Sequence, residues 1–302
     1  MRQIPYVQTS VFVDERYNNT GNQLATFWDS SKNNLNQEEM QSIAFELNFS
    51  ETTFIFESNI SQCSKKVRIF TPKSELKFAG HPTLGTAFVL KDTKVIDTNV
   101  SKTVLELGVG PIEVLYISDT EIAMTQPKPT FHEKFKDKST IAKILGITEN
   151  DIDDDYPIEI VSTGFPFLII PLKNLGAIQK IRLQPQLQLE LLSHLETSKI
   201  LVFTTEVTHN DSSVHVRMFA PSVGVLEDPA TGSAAGPLTA YLDKYQILSE
   251  YKTGDEVFIE QGFEINRPSK LIGKIITKGS EITNVSVSGK VRKTASGKFY
   301  LK

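Results

Sequence analysis

Two pentapeptides standing 149 residues apart constrain this chain more than any other feature. Arg68-Ile69-Phe70-Thr71-Pro72 and Arg217-Met218-Phe219-Ala220-Pro221 share an arginine, a phenylalanine two positions on, and a closing proline. Each is followed by a turn of small residues and then an apolar run. The first reads Ala79-Gly80-His81-Pro82-Thr83-Leu84-Gly85 and the second Ala230-Thr231-Gly232-Ser233-Ala234-Ala235-Gly236. A repeat close to half of a 302-residue chain predicts two similar domains, each with a central helix. The length alone exceeds the usual single-core size.

The apolar runs sharpen this expectation. Leu84, Ala87, Phe88, Val89 and Leu90 leave the first run without a strongly polar face. A helix apolar all round is buried all round, so this one is predicted to pass through the middle of a domain, wrapped by strands. Pro82 suits its first turn, where a missing N–H costs nothing. A second kind of helix precedes it. Asn36 and Glu39 form a capping box, Met40, Ile43, Ala44 and Leu47 recur on one face, and Asn48 closes the segment. Strands are predicted over 50–56, 66–71, 200–205 and 215–219, and a hairpin over 103–116 turning at Gly108-Val109-Gly110-Pro111. Residues 139–145 and 185–195 read as helices, Asp151 to Asp155 as an acidic loop, and 163–170 as a turn into a buried strand. Pro127-Lys128-Pro129 reads as a linker.

Composition removes several classes. The net charge of -4 and the absence of any Lys/Arg block argue against nucleic acid as a partner. A single cysteine, Cys63, forms no internal disulfide. With no apolar signal core near residue 1 and no window of membrane-spanning length, a cytoplasmic protein with no membrane partner is expected. His132, His194, His209 and His215 lie in no metal-ligand spacing; His215 reads as a strand residue and the others as surface. Asp151, Asp153, Asp154 and Asp155 lack the glycine and terminal glutamate of a calcium loop. No nucleotide-binding glycine pattern occurs, so neither metal nor cofactor is expected.

The small residues before each apolar run suggest chemistry. A helix start offers unpaired N–H groups and partial positive charge. Two buried helices aiming their starts into one cleft would hold a small carboxylate, lined by Ala79-Gly80-His81 and Thr231-Gly232-Ser233. Glu51 opens a strand whose other residues read as buried. A partly buried carboxyl there would exist in both protonation states near neutrality.

At these residues the chain resembles the phenazine-biosynthesis isomerase family, the PhzF-like proteins. The matching stretches are Asn48-Phe49-Ser50-Glu51-Thr52-Thr53-Phe54, the Ala79-Gly80-His81-Pro82-Thr83 block, Ser162-Thr163-Gly164-Phe165-Pro166-Phe167, and Glu227-Asp228-Pro229-Ala230-Thr231-Gly232-Ser233-Ala234-Ala235-Gly236. Gln261-Gly262-Phe263-Glu264, Arg267-Pro268-Ser269 and Val287-Ser288-Gly289 also fit. The resemblance implies the diaminopimelate epimerase-like fold, an α/β (α+β) architecture. It has two pseudo-symmetric domains, each a mostly antiparallel curved sheet around a buried helix, with the site between them. Domains 1–127 and 128–284 are expected, with 285–302 returning to the first.

The same resemblance implies a cofactor-independent isomerase and a homodimer. Its substrate would be a small carboxylate, trans-2,3-dihydro-3-hydroxyanthranilate-like or amino-acid-like. Glu51 would be the acid/base, with His81 and Asp228 beside it and Gly80, Gly232 and Ser233 holding the substrate. Relatives in the wider fold that racemise with two thiols carry a cysteine in each block, at the positions of Ala79 and Ala230 here, so two-thiol chemistry is excluded by residue type. The alternative expectation is a catalytically idle member of the fold that binds a small molecule or another protein.

Overall fold

The computed structural model describes residues 1–28, 35–279 and 281–301. The chain divides into two compact units, Met1–Thr125 with Ser288–Lys302, and Gln126–Val287.

In the first unit, β1 (Arg2–Val11) and β2 (Asn22–Phe27) are antiparallel. Helix α1 (Gln37–Leu47) crosses over to β3 (Glu51–Phe56), which runs parallel to β2. Strand β4 (Lys65–Phe70) is antiparallel to β3, and the short β5 (Glu75–Leu76) is antiparallel to β4. Helix α2 (Gly80–Asp92) follows. Strand β6 (Lys102–Leu107) then returns parallel to β4, and β7 (Gly110–Tyr116) and β8 (Glu121–Gln126) complete a meander.

The second unit opens with β9 (Thr130–Phe135) and α3 (Lys138–Leu145). It then repeats the first unit pairing for pairing. Strands β10 (Ile158–Ser162) and β11 (Pro166–Pro171) are antiparallel. Helices α4 (Leu175–Gln179) and α5 (Pro185–Leu191) cross over to β12 (Ile200–Thr204), parallel to β11. Strand β13 (Val214–Ala220) is antiparallel to β12, and β14 (Val225–Asp228) is antiparallel to β13. Helix α6 (Gly232–Lys244) precedes β15 (Glu256–Gln261), parallel to β13, and β16 (Ser269–Lys278), antiparallel to β15. The last strand, β17 (Glu281–Leu301), ends against β1, with Arg2 opposite Leu301.

The two faces of each sheet explain the two kinds of helix. Strands β2 and β3 pair Thr26 with Thr53 on one face and Phe27 with Phe54 on the other. The aromatic face carries Phe27 and Phe54, stacked with centroids 5.0 Å apart, and Phe70 edge-on to Phe54. The apolar stripe of α1, Met40, Ile43 and Ala44, covers this face while its other side meets water. The threonine face meets α2. Thr86 donates to Thr53, which bonds Thr26, each step 2.9 Å and fully buried. Helix α2 is buried from Gly80 to Leu90 except at Phe88, and α6 is buried throughout except at Ser233 and Lys244. Gly85 permits the close approach, because a Cβ there would lie 2.5 Å from Leu24 Cδ2 and 2.9 Å from Val11 Cγ2. The two-domain-like, mostly antiparallel arrangement around a buried helix is the fold class expected.

Several elements differ from expectation. Strand β10 emerges directly after the acidic loop, because Ile158-Glu159-Ile160-Val161-Ser162 is buried on both faces and lacks the alternation that marks a half-exposed strand. Helix α5 stops at Leu191, four residues short of the predicted end. Strands β5, β8, β9, β14, β15 and β16 and helix α4 join the pattern without having been predicted.

The repeated pentapeptides form the same clasp in both units. Arg68 grips Glu75 on β5 with two bonds of 2.7 Å and lies 5.2 Å from the Phe70 ring centre. Arg217 grips Glu227 on β14 at 2.7 and 2.8 Å and lies 5.1 Å from the Phe219 ring. A second pair also repeats: Lys66 with Glu106 at 3.4 Å, and His215 with Glu260 at 2.7 Å. Burial distinguishes the copies. The Arg217 and Glu227 side chains are 9% and 13% exposed, against 23% and 32% for Arg68 and Glu75. Arg217→Met leaves a buried carboxylate unpaired and is expected to cost about 3 kcal/mol. Arg68→Met is expected to cost about 1 kcal/mol or less. Urea unfolding of the two variants checks the ordering, and equal losses would refute it.

Candidate active site

In the first unit, Glu51 opens β3 beside Leu24 of β2, on the face that meets α2. The N-cap of α2, Ala79, makes no side-chain cap, so the first N–H groups of that helix, Gly80 and His81, stand without one. His81 is 4% exposed, and its Nε2 lies 3.5 Å from Glu51 Oε2. Nε2 makes no hydrogen bond among the described residues, while the ring bonds the backbone of Gln23. The nitrogen that donates to Gln23 is therefore Nδ1, and Nε2 carries the lone pair of a neutral ring. Burial drives the His81 pKa down to about 3, against a smaller raising effect of the Gln23 bond. The Glu51–His81 contact is thus a carboxyl facing a neutral imidazole and not an ion pair. Ser50, just before Glu51, donates to the buried Asn22 at 3.1 Å and ties the start of β3 to the start of β2.

In the second unit, Asp228 ends β14 and is 6% exposed. The Thr231 hydroxyl donates to Asp228 Oδ2 at 2.6 Å, so Thr231, the N-cap of α6, gives its side chain to Asp228 and not to the helix. Gln261 completes the group. Its Oε1 accepts from Thr231 N at 3.1 Å, and its Nε2 donates to the Asp228 carbonyl at 2.7 Å and to Thr231 Oγ1 at 3.0 Å. Gly262 has φ +83, and a Cβ there would fall 2.6 Å from the Pro229 carbonyl oxygen. Only glycine lets the two turns meet so closely. The Gly232 carbonyl accepts from Gln126 Nε2 at 2.8 Å, and Ser233 is half-buried in the first turn.

The sequence-predicted residues therefore gather at two helix starts. Glu51, Gly80 and His81 meet at α2, and Asp228, Gly232 and Ser233 meet at α6. Ala79 and Ala230 carry no thiol at either start. Cys63 stands apart in the loop before β4, with its thiol pushed up by burial. Among the described residues no cluster of three or more histidines, cysteines and acids could hold a metal ion, and no helix is long and apolar enough to cross a membrane. Gln23 and Gln126 were not singled out from sequence, and Gln261, quoted in a matching stretch, was given no role. Their contacts join positions 58, 106 and up to 33 residues apart, and a glutamine carries no periodicity signal.

His215, read as an ordinary strand residue, is a buried charged group. Its Nδ1 lies 2.7 Å from Glu260 and its Nε2 2.9 Å from Glu264. Burial pulls its pKa down, but the two carboxylates prevail and raise it to about 9. The two histidines oppose each other in their pH dependence. The His81 ring, depressed to about 3 in the folded chain, stabilises fully above the unfolded value near 6.5 and loses that contribution as pH falls from 6.5 toward 3. The His215 ring, raised to about 9, stabilises fully below 6.5 and loses its contribution as pH rises from 6.5 to 9. Each limb approaches a slope of roughly 1.4 kcal/mol per pH unit. Unfolding free energy measured against pH should fall on both sides of pH 6.5. His81→Gln should flatten the acid limb and His215→Gln the alkaline limb; a limb unchanged by its variant would refute that assignment.

Comparison with known proteins shows the family. The model of the phenazine biosynthesis-like protein (PhzC-PhzF) family matches residues 10–297. The trans-2,3-dihydro-3-hydroxyanthranilate isomerase of Pseudomonas aeruginosa is 33% identical over 300 residues, covering 98% of this chain and 99% of the relative. A crystal structure of the Bacillus anthracis phenazine biosynthesis protein of the PhzF family superposes with a TM-score of 0.89 at 25% identity, covering 100% of both chains. A probable proline racemase from Agrobacterium radiobacter K84, 10% identical, superposes at 0.65 over 99% of this chain and 93% of its own, which shows a shared fold alone. The chain belongs to the phenazine biosynthesis-like protein family and is an isomerase of the PhzF type.

Proposed function

We propose that this isomerase moves a proton between carbons of a small cyclic carboxylate of the trans-2,3-dihydro-3-hydroxyanthranilate type, with Glu51 as its single acid/base. The observation that carries this reading is the Glu51 carboxyl 3.5 Å from the neutral His81 ring, at a helix start without a side-chain cap. The relative from Pseudomonas aeruginosa supports the substrate class by its name.

The chemistry needs only what such a site supplies. The Glu51 carboxylate takes a proton from a C–H carbon of the substrate, and the electron pair left behind delocalises into the adjoining double bond. The carboxylic acid so formed, whose proton exchanges with solvent, then gives a proton to a different carbon of that system. No electron is gained or lost and no group leaves. With His81 neutral, no imidazolium stands beside Glu51 to lock it in the ionised form. His81 then serves as a hydrogen-bonding group, not as a cation. In each unit the helix start suits an anion such as the substrate carboxylate, through the Gly80 N–H at α2 and through the Gly232 N–H and the Ser233 hydroxyl at α6. Asp228 meets a substrate amine. Neither helix start holds a second proton carrier of the thiol type, which favours a one-base shift over two-base racemisation.

Proton NMR in D2O tests the assignment. Wild type incubated with trans-2,3-dihydro-3-hydroxyanthranilate should yield an isomer carrying deuterium at a carbon position. Glu51→Gln should lower the rate by about 10²–10⁴-fold, the usual contribution of a general acid/base. Full activity in Glu51→Gln would remove Glu51 from the role. A compound that binds wild type without exchange or isomerisation would point to an idle member of the fold.

A further inference from the structure

We propose that Gln261 is a positioning residue that aims the Asp228 carboxylate and sets the start of α6, acting through the Thr231 hydroxyl. The proposal rests on the reading of Asp228 as a substrate-facing group.

The sheet of the second unit contains a junction. Strand β12 occupies one edge of β13 from His215 to Phe219. Strands β14 and β15 must therefore share the other edge. Strand β15 covers Val214 to Val216, with Gln261 opposite Val216, and β14 starts where it stops, with Asp228 opposite Met218. Two strands meeting end to end leave a break in the backbone ladder. Gln261, 1% exposed and the last residue of β15, bridges it with its side chain. Its carboxamide presents one acceptor and one donor, as a peptide unit would, to Thr231 N and the Asp228 carbonyl.

The second donation of Nε2, at 3.0 Å to Thr231 Oγ1, fixes direction. A hydroxyl has a single proton. Because Gln261 donates to Thr231 Oγ1, the Thr231 proton is directed to Asp228 Oδ2, 2.6 Å away. The chain Gln261 to Thr231 to Asp228 is thus polarised one way, and each bond strengthens the next.

The internal repeat shows that this residue is not dictated by the scaffold. The pairing of Lys66 with Glu106 corresponds to that of His215 with Glu260. The residue of β6 equivalent to Gln261 is therefore Leu107, which is buried and apolar. The first unit closes the same junction without an amide. The amide occurs only in the unit whose short strand before the buried helix ends in a carboxylate, Asp228 on β14 against Leu76 on β5.

The test compares wild type, Gln261→Glu and Gln261→Leu. Gln261→Glu keeps the size and removes the donor when ionised. The Thr231 hydroxyl then turns to the introduced carboxylate, and Asp228 loses a donor and gains a neighbouring like charge. Carboxyl ¹³C NMR should show Asp228 titrating at higher pH than in wild type, with the Thr231 amide resonance shifted. With trans-2,3-dihydro-3-hydroxyanthranilate, KM at pH 8 should rise about tenfold, the scale of one hydrogen bond to a charged group. It should recover as pH falls and the introduced carboxyl is protonated, regaining a donor. Gln261→Leu, the first unit's solution, should show the same rise in KM without recovery. An unchanged Asp228 titration in folded variants overturns the proposal, as does a shifted titration with wild-type kinetics. If wild type does not turn over this compound, the reading of function falls, and the Asp228 titration still decides the positioning.

Discussion

A helix buried on every side is the constraint on which the rest depends. Helices α2 and α6 have no face for water, so strands must cover each of them. Covering one face of a sheet this way leaves its other face apolar as well. In the first unit that face carries Phe27, Phe54 and Phe70, and α1 lies over it. The backbone of a buried helix satisfies itself except at its ends. The only donors such a helix can offer a ligand are therefore at its start, and there the chain places Gly80-His81 and Gly232-Ser233.

The two units keep what holds a strand in place and diverge where chemistry is read. The arginine clasp onto a glutamate of the next strand is the same in both, as is the cation paired with the acid of the neighbouring parallel strand. At equivalent positions that line the helix starts, the residues part company. Phe70 faces Thr52 and Phe219 faces Ile200, so the residue that corresponds to Glu51 is Lys199. The last residue of β14 is Asp228 and that of β5 is Leu76. Each unit thus keeps one carboxylate where the other has none: Lys199 stands for Glu51 and Leu76 for Asp228.

The buried histidines show how surroundings decide charge. His81 sits against one carboxyl and a backbone carbonyl and stays neutral, because burial outweighs the Gln23 bond. His215 sits between two carboxylates and stays charged, because together they outweigh burial. Their placement differs in consequence. The charged ring anchors β13 to β15 away from the helix start, while the neutral ring stands at one, where a fixed positive charge would bias the protonation of Glu51.

Much of this was legible in the sequence, because the signals are local. Capping by Asn36 and Glu39, the stripe of α1, the all-apolar run of α2 and the paired pentapeptides each depend on residues within a turn or two of one another, so pattern alone determined the element types and the repeat. Candidate residues Glu51, His81, Asp228 and Ser233 came from the short motifs that carry the family resemblance. Strand β10 escaped because a strand buried on both faces has no alternation to read. The tertiary structure alone decided that Nε2 of His81 faces Glu51 while Nδ1 holds Gln23, that His215 is charged, and that Gln261 closes the gap between β14 and β15. These outcomes turn on contacts between residues distant in sequence, where burial and hydrogen-bond partners, absent from any local pattern, set the protonation and direction of each polar group.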